Sequence, residues 1–329
     1  MAELVGHVAQ LWQYPVKSMG GVTLSAADVQ KDGLVGDRGW CAREEELGQL
    51  TVVRRTPQLL KCRAQYESEP RPGAVGDCMP SVRVTLPDGE SFSTRDPDAA
   101  ERLSNFIGKP LSLWPRQPKR RLGHYRLAKP QGARELKRQF ASKTLPDLSS
   151  IPLSRVLELM LFVTPLGRYQ DVYPLHILSS AAIAHMRRQD PEADFRVERF
   201  RPNLYIQSVD DGAGLDDFSW VRGELSIGEV VLACDSRTVR CSAPSQPQSV
   251  MEQDGLLERD GRVLSALGRE TGRHLGINAL VKRTGRVSVG DPVYFDGKPG
   301  ITGQRLSRYD KLRNRVLHAG LETVDRLFR

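Results

Sequence analysis

Apolar and polar residues alternate with a period of about two along residues 4–13 (LVGHVAQLWQ), which predicts a strand with one buried face. Tyr14-Pro15 ends it, Val16-Lys17-Ser18-Met19-Gly20-Gly21 reads as a turn, and residues 22–29 resume a strand. Gly36-Asp37-Arg38-Gly39 is a second turn, ahead of a strand at 40–43. Further strands are expected within 51–64 and at 81–85, and Pro87-Asp88-Gly89-Glu90 makes 82–94 a hairpin. With one short helix at 99–107, the first 115 residues or so read as mostly antiparallel sheet. Helical stretches are expected at 134–141, at 154–162, and within 170–190, where Ser179 or Ser180 serves as N-cap and Asp190-Pro191 as stop. Short strands at 203–208, 224–227, 230–234, 279–282 and 292–295, separated by Gly and Pro, suggest a β-barrel, and Gly285 to Asp291 looks like a strand entering a tight turn. Residues 304–328 carry Leu306, Leu312, Val316, Leu317, Leu321 and Val324 on a helical period and predict an amphipathic helix packed on the body.

A chain of 329 residues exceeds what one core usually holds, so two domains, or one with a large insertion, are expected. Its 39% hydrophobic content is enough for a packed interior, and 29 glycines with 21 prolines make it loop-rich, not disordered. The formal charge of +8 suits an anionic partner or serves solubility. No helix-turn-helix or aromatic RNA signature accompanies it, so nucleic acid is not expected. The five cysteines, Cys41, Cys62, Cys78, Cys234 and Cys241, are odd in number and form no CxxC pair, which fits a reducing cytosol better than a disulfide framework. The N-terminus lacks a signal-peptide pattern, and the most apolar stretch, 151–163, is too short to span a bilayer and carries Arg155 and Glu158. A cytoplasmic protein with no membrane span is the expectation.

Four segments have chemical potential. Tyr14-Pro15-Val16-Lys17-Ser18 sets an ammonium beside a hydroxyl at a turn and suits an anion, although a surface lysine after a turn is the plainer account. Gly36-Asp37-Arg38-Gly39-Trp40 either holds a turn salt bridge or aims a guanidinium into a cleft. In Arg199-Phe200-Arg201-Pro202-Asn203-Leu204, extended alternation would put Arg199 and Arg201 on one face, apt for a phosphate or a planar heterocycle. In Arg237-Thr238-Val239-Arg240-Cys241-Ser242, a thiol among arginines is expected to have a lowered pKa and to act as soft metal ligand or nucleophile, unless it is an inert core residue. The basic cluster Arg116, Lys119, Arg120, Arg121, Arg126 and Lys129 reads as an exposed connector that grips phosphate or is simply solvated.

These segments, in this order and followed by Gly285-Arg286-Val287-Ser288-Val289-Gly290-Asp291-Pro292-Val293, resemble the MOSC proteins with their N-terminal β-barrel partner domain, a family that includes the mitochondrial amidoxime-reducing components and the C-terminal domain of molybdenum cofactor sulfurase. Pro174-Leu175-His176-Ile177-Leu178-Ser179 is similar to the segment that opens the MOSC domain. The resemblance covers about residues 5–295. It implies a mainly β fold with some α: two β-barrel-like lobes with peripheral helices. The first lobe would span 1–115, a basic connector or insertion 116–169, the MOSC domain 170–297 and a helical tail 298–329. It also implies a molybdenum–molybdopterin cofactor between the lobes. Lys17, Ser18 and Arg38 would hold it from one side, and Arg201, Asn203 and Arg240 from the other, with Cys241 as the metal's thiolate ligand.

The resemblance points to a molybdenum-dependent oxidoreductase that reduces N-hydroxylated or related N–O or S–O small molecules by oxygen-atom transfer. No Fe–S cysteine set and no GxGxxG between strand and helix is present, so electrons would come from a separate protein: cytochrome b5-like, a flavoprotein or a ferredoxin. Where the better-known members follow the cysteine with Thr-Thr-Val-Asp-Pro, this chain has Ser242-Ala243-Pro244-Ser245-Gln246-Pro247, a departure that bears on the substrate more than on the metal. Two other readings stay open: a sulfur or cofactor carrier using a Cys241 persulfide, and a metal-free scaffold retooled for a specialised pathway.

Overall fold

The computed structural model describes residues 2–139, 144–145, 153–212, 214–250, 255–297 and 308–327. Seven strands close a barrel: Glu3–Gln13, Leu204–Ser208, Leu175–Ser179, His274–Arg283, Val230–Val239, Glu224–Ile227 and Pro292–Asp296, the last returning to the first. All pairings around it are antiparallel except that of Leu175–Ser179 with Leu204–Ser208. A parallel pair needs a crossover. The helix Ser180–Gln189 supplies it, its N-cap Ser179 accepting a hydrogen bond from the Ala182 amide at 3.1 Å. Alternate inward residues, among them Val8, Leu11, Ile206, Leu232, Ile277 and Val293, fill the barrel with one apolar core.

The N-terminal lobe has two three-stranded sheets. One joins Leu111–Pro115, Trp40–Glu44 and Gln49–Leu50; the other joins Arg63–Tyr66, Val82–Thr85 and Ser91–Ser93. With helix Ala99–Ile107 they enclose a second core that includes Trp40, Leu59, Val84, Phe92 and Leu103. The chain is thus mainly β, with a closed barrel, additional sheets and peripheral helices. Order along the sequence is not order in space, because the first strand, Glu3–Gln13, is a stave of the C-terminal barrel.

Several sequence-based expectations change. Residues 22–29 are two strands broken at Ser25: Val22–Leu24 pairs with Glu3–Gln13, and Ala26–Gln30 pairs with Gly285–Ser288. Of residues 51–64, only Arg63 and Ala64 are in a strand. Pro57 cannot donate to a ladder, and the chain turns on bonds from the Arg55 and Thr56 amides to the Val52 carbonyl before a 3-10 helix, Pro57–Lys61. The strands expected at 230–234 and 279–282 each run ten residues, Val230–Val239 and His274–Arg283, because their bulged pairing lets both continue past irregularities. Helix Gly261–Glu270, capped by Asp260, had no sequence counterpart. Residues 197–201 are not extended: Val197–Phe200 is a 3-10 helix and Arg201 is left-handed, so Arg199 and Arg201 do not share a face.

The connector is more than an exposed arm. His124, Tyr125 and Tyr169 are buried within it, Tyr125 and Tyr169 packing with Cys41 and Leu50. Its helices Ala133–Gln139 and Leu153–Leu161 match two expectations, residues 140–141 lying outside the described part. The tail helix Arg308–Leu327 packs on those connector helices, not on the barrel, through Leu317 and Leu321 against Ala133 and Val156, and Leu306 lies outside the described residues. No helix among the described residues is long and apolar enough to cross a membrane.

Beside the barrel core, in the 3-10 helix Asp216–Trp220, Asp217 is fully buried and no well-formed hydrogen bond reaches either carboxylate oxygen. Burial, then the neighbouring Asp216 carboxylate, raises its pKa well above the usual carboxylate range. The folded chain therefore holds a proton that the unfolded chain has released, and stability falls as pH rises above the ordinary carboxylate range until the folded group itself ionises. Asn cannot ionise, so Asp217→Asn is expected to escape this loss and to gain on wild type by about 1–3 kcal/mol between pH 4 and pH 7. Urea melts at pH 4 and pH 7 check this; an unchanged pH slope would refute it.

Candidate cofactor site between the lobes

Two turns of the N-terminal lobe are laced together. The Tyr14 amide donates to Asp37 Oδ1 at 3.0 Å, the Arg38 amide to the Tyr14 carbonyl at 2.7 Å, and the Lys17 amide to the Trp40 carbonyl at 2.8 Å. Glycines make the lacing possible. A Cβ on Gly36 would strike Pro70 and one on Gly39 would strike the Tyr66 hydroxyl. Ser18, Arg38 and Arg201 have φ of 70°, 49° and 53°, three of the five non-glycine residues with positive φ among those described. Such strain concentrates where surrounding structure over-determines a site.

Lys17 is buried, and its ammonium donates to the Tyr169 carbonyl at 2.9 Å and to the Asp171 carboxylate. Two guanidiniums lie over the Tyr14 ring, Arg38 at 4.7 Å and Arg201 at 4.3 Å from its centroid. Arg38 pairs with Asp37, whereas Arg201, among the described residues, has no hydrogen-bond or ion-pair acceptor for its guanidinium. Arg240 donates to the Phe200 carbonyl at 2.6 Å and stands 3.2 Å from His176 Nε2. Burial lowers Arg201 and Arg240 to about 10 each, so both stay cationic at neutral pH yet under-compensated by negative charge.

Cys241 is half-buried and faces this cluster. Burial raises its pKa, and the Asp171 carboxylate adds to the rise while the Ala243 amide and Arg240 only partly offset it. The lowered pKa expected from neighbouring arginines is therefore overturned: desolvation outweighs them. Burial would also raise Asp171, but Lys17, Arg38 and Arg201 win and hold it below the usual range. Its side chain keeps 81% of its surface open to solvent, so the carboxylate marks the accessible side of the recess these groups line.

Lys17, Ser18, Arg38, Arg201, Arg240 and Cys241 thus come to one region. Asn203 stands behind it. Its amide clasps the frame, accepting from the His176 amide at 3.2 Å and donating to the Trp12 carbonyl at 3.3 Å. Arg199 points away, into a cage of backbone carbonyls under the loop that follows Cys241. Sequence reasoning missed three groups. Asp171 lies just before the segment Pro174–Ser179, and His176 lies inside it, named there but given no role. Arg54, which feels the Cys241 thiol and pairs with Glu135 at 2.7 Å, fell in a stretch expected to be strand. Among the described residues no group of three or more His, Cys, Asp or Glu side chains could hold a metal ion. Cys241 is a lone soft donor, suited to a metal that brings its other ligands with it.

The sequence matches the MOSC N-terminal beta barrel domain over residues 5–110 and the MOSC domain over residues 167–294. It is 26% identical to human mitochondrial amidoxime reducing component 2, covering 88% of this chain and 83% of that protein. It is likewise 26% identical to human mitochondrial amidoxime-reducing component 1, covering 91% and 85%. The solved structure of the YuaD protein from Bacillus subtilis aligns over 90% of this chain and 98% of that one, at 11% identity and a TM-score of 0.40. With both domain matches in sequence order and the recess between them, the chain belongs to the MOSC proteins.

Proposed function

We propose that this chain is a molybdenum-cofactor-dependent oxidoreductase that reduces N-hydroxylated or related N–O or S–O compounds, with electrons from a separate protein. The observation that carries the reading is a partly accessible thiol, Cys241, facing a cluster of cations in which Arg201 has no acceptor among the described residues. A pterin dithiolene with a terminal phosphate is anionic, and it would supply the missing counter-charge. The residues therefore fit the group. Arg38, Arg201 and Arg240 would hold its anionic parts, Lys17 and Ser18 would close the N-terminal side, and Cys241 would ligate the metal. When bound, the group supplies two-electron oxygen-atom transfer.

The chain's own contribution is orientation and proton handling. Asn203 and His176 fix the strand ends beneath the recess. Arg240 flanks the thiol and stabilises its ionised form. The Asp171 carboxylate, with Oδ1 bound to Lys17, is ionised at neutral pH and can accept a hydrogen bond from a substrate N–H or O–H. The names of the amidoxime-reducing relatives support the substrate class.

Metal and pterin analysis of protein made in a cofactor-competent host tests the reading. Stoichiometric molybdenum is expected; sulfane sulfur without metal would instead favour the persulfide carrier. Arg201→Ala is expected to weaken pterin retention by roughly 1.5–3 kcal/mol, the contribution of a charge-assisted hydrogen bond. Equal pterin occupancy in variant and wild type after gel filtration would remove that role.

A further inference from the structure

Between Arg116 and Lys129 the chain has six basic residues and no acidic one. Arg116 is committed to Asp32. Lys119, Arg120, Arg121, Arg126 and Lys129 are exposed, and among the described residues none of these five makes an ion pair. Arg121 rests on the Trp114 ring at 5.7 Å and donates to Gln117 at 2.7 Å.

This segment is anchored from below. His124 Nε2 shares a hydrogen bond with the Tyr169 hydroxyl at 2.7 Å, and that hydroxyl donates to the Pro115 carbonyl at 3.0 Å. The same Tyr169 gives its backbone carbonyl to Lys17. The stem of Lys119 lies over Gly167, where a Cβ would collide with it. Gly167 precedes Asp171 by four residues, a span of at most about 14 Å. The unpaired charge therefore sits close to the recess and is mechanically continuous with it.

We propose that residues 116–129 form the docking surface for an acidic redox protein that delivers electrons to the recess, an inference that rests on the function proposed above. For a hydroxylamine the balance is R–NHOH + 2 H⁺ + 2 e⁻ → R–NH₂ + H₂O. The N–O bond breaks, one proton goes to nitrogen and one to oxygen, and a one-electron donor docks twice per turnover. Positive surface near the site raises the encounter rate with an acidic partner and does so less as salt screens it. A membrane is the weaker fit, because the one helix in the segment, Leu122–Tyr125, is a single turn that buries His124 and Tyr125 and offers only Leu122 to a bilayer.

The test uses holoprotein and its triple variant Lys119→Glu, Arg120→Glu, Lys129→Glu. Electrons come either from an acidic protein donor (reduced soluble cytochrome b5 domain, flavodoxin and plant-type ferredoxin in parallel) or from sodium dithionite. For wild type, kcat/KM for at least one protein donor is expected to fall about tenfold between roughly 50 and 300 mM salt. The variant is expected to lose about tenfold at low salt through KM, to show a flat salt dependence, and to keep dithionite-driven turnover. Three results would overturn the proposal: no acidic donor supports turnover while dithionite does, the variant stays within about twofold of wild type with the donor, or it loses only binding to phosphatidylserine vesicles. Wild-type holoprotein inert even with dithionite would instead sink the proposed reduction, and the docking role with it.

Discussion

If the proposed function holds, Cys241→Ala is expected to yield a folded protein without molybdenum and with the proposed reductase activity down by more than about a hundredfold, since losing even a supporting group around a metal ligand commonly costs 10–100-fold. The fold has little stake in this side chain. It is half-buried, it follows the end of the strand Val230–Val239, and neither apolar core includes it. The melting temperature is expected to move by no more than about 4 °C. Pterin should outlast the metal in the variant, because the cations that would hold it are untouched. Metal analysis, pterin fluorescence and thermal melts on the same preparation separate these outcomes, and a variant with full activity would end the ligand hypothesis.

Arg199→Met is expected to be the most destabilising single change at the site's periphery, costing about 3–5 kcal/mol, as when one partner of a buried ion pair is removed. The Arg199 side chain is 1% exposed, and its guanidinium is shared among Asp194, at 3.0 and 2.7 Å, and the carbonyls of Pro244, Gln246 and Glu258. Methionine fills similar volume but leaves those three carbonyls without this donor and Asp194 with Arg196 as its remaining guanidinium. Burial would raise Asp194, but Arg196 and Arg199 outweigh it and hold the carboxyl below its usual range. A depressed carboxylate contributes stability above its unfolded pKa and loses it as pH falls through the folded value. The gap between wild type and variant in urea unfolding should therefore be widest at neutral pH and shrink below about pH 4. A gap under about 1 kcal/mol at pH 7 would show that the cage is slack. The same substitution should loosen the Ser242–Ser249 stretch, since Pro244 and Gln246 are the points at which Arg199 holds it.

Much of this was legible along the chain because it is local. The alternation in residues 4–13, the turn glycines and the Ser179 cap each act through neighbours a few residues away, and the strand, turns and cap appear where those signals lie. What was not legible depends on distant partners. Nothing near Arg199 announces that it meets carbonyls some 45 to 59 residues onward, and extended alternation was a reasonable reading without them. The Cys241 thiol shows the same limit: adjacent arginines are visible in sequence, whereas desolvation, which outweighs them, is a property of the assembled recess. Asp171 was overlooked because a carboxylate among cations acquires significance only once Lys17, 154 residues earlier, lies against it.

The placement of Glu3–Gln13 has a consequence for biogenesis. Glu3 lies opposite Phe295, so the ladder of Glu3–Gln13 is complete only once the strand Pro292–Asp296, nearly 290 residues later, has been made. Until then the edge of Glu3–Gln13 that will meet Pro292–Asp296 is open to intermolecular pairing. A truncated product starting after residue 13 would retain every group proposed to touch the cofactor, yet it would enter the cell as an incomplete cylinder prone to self-association.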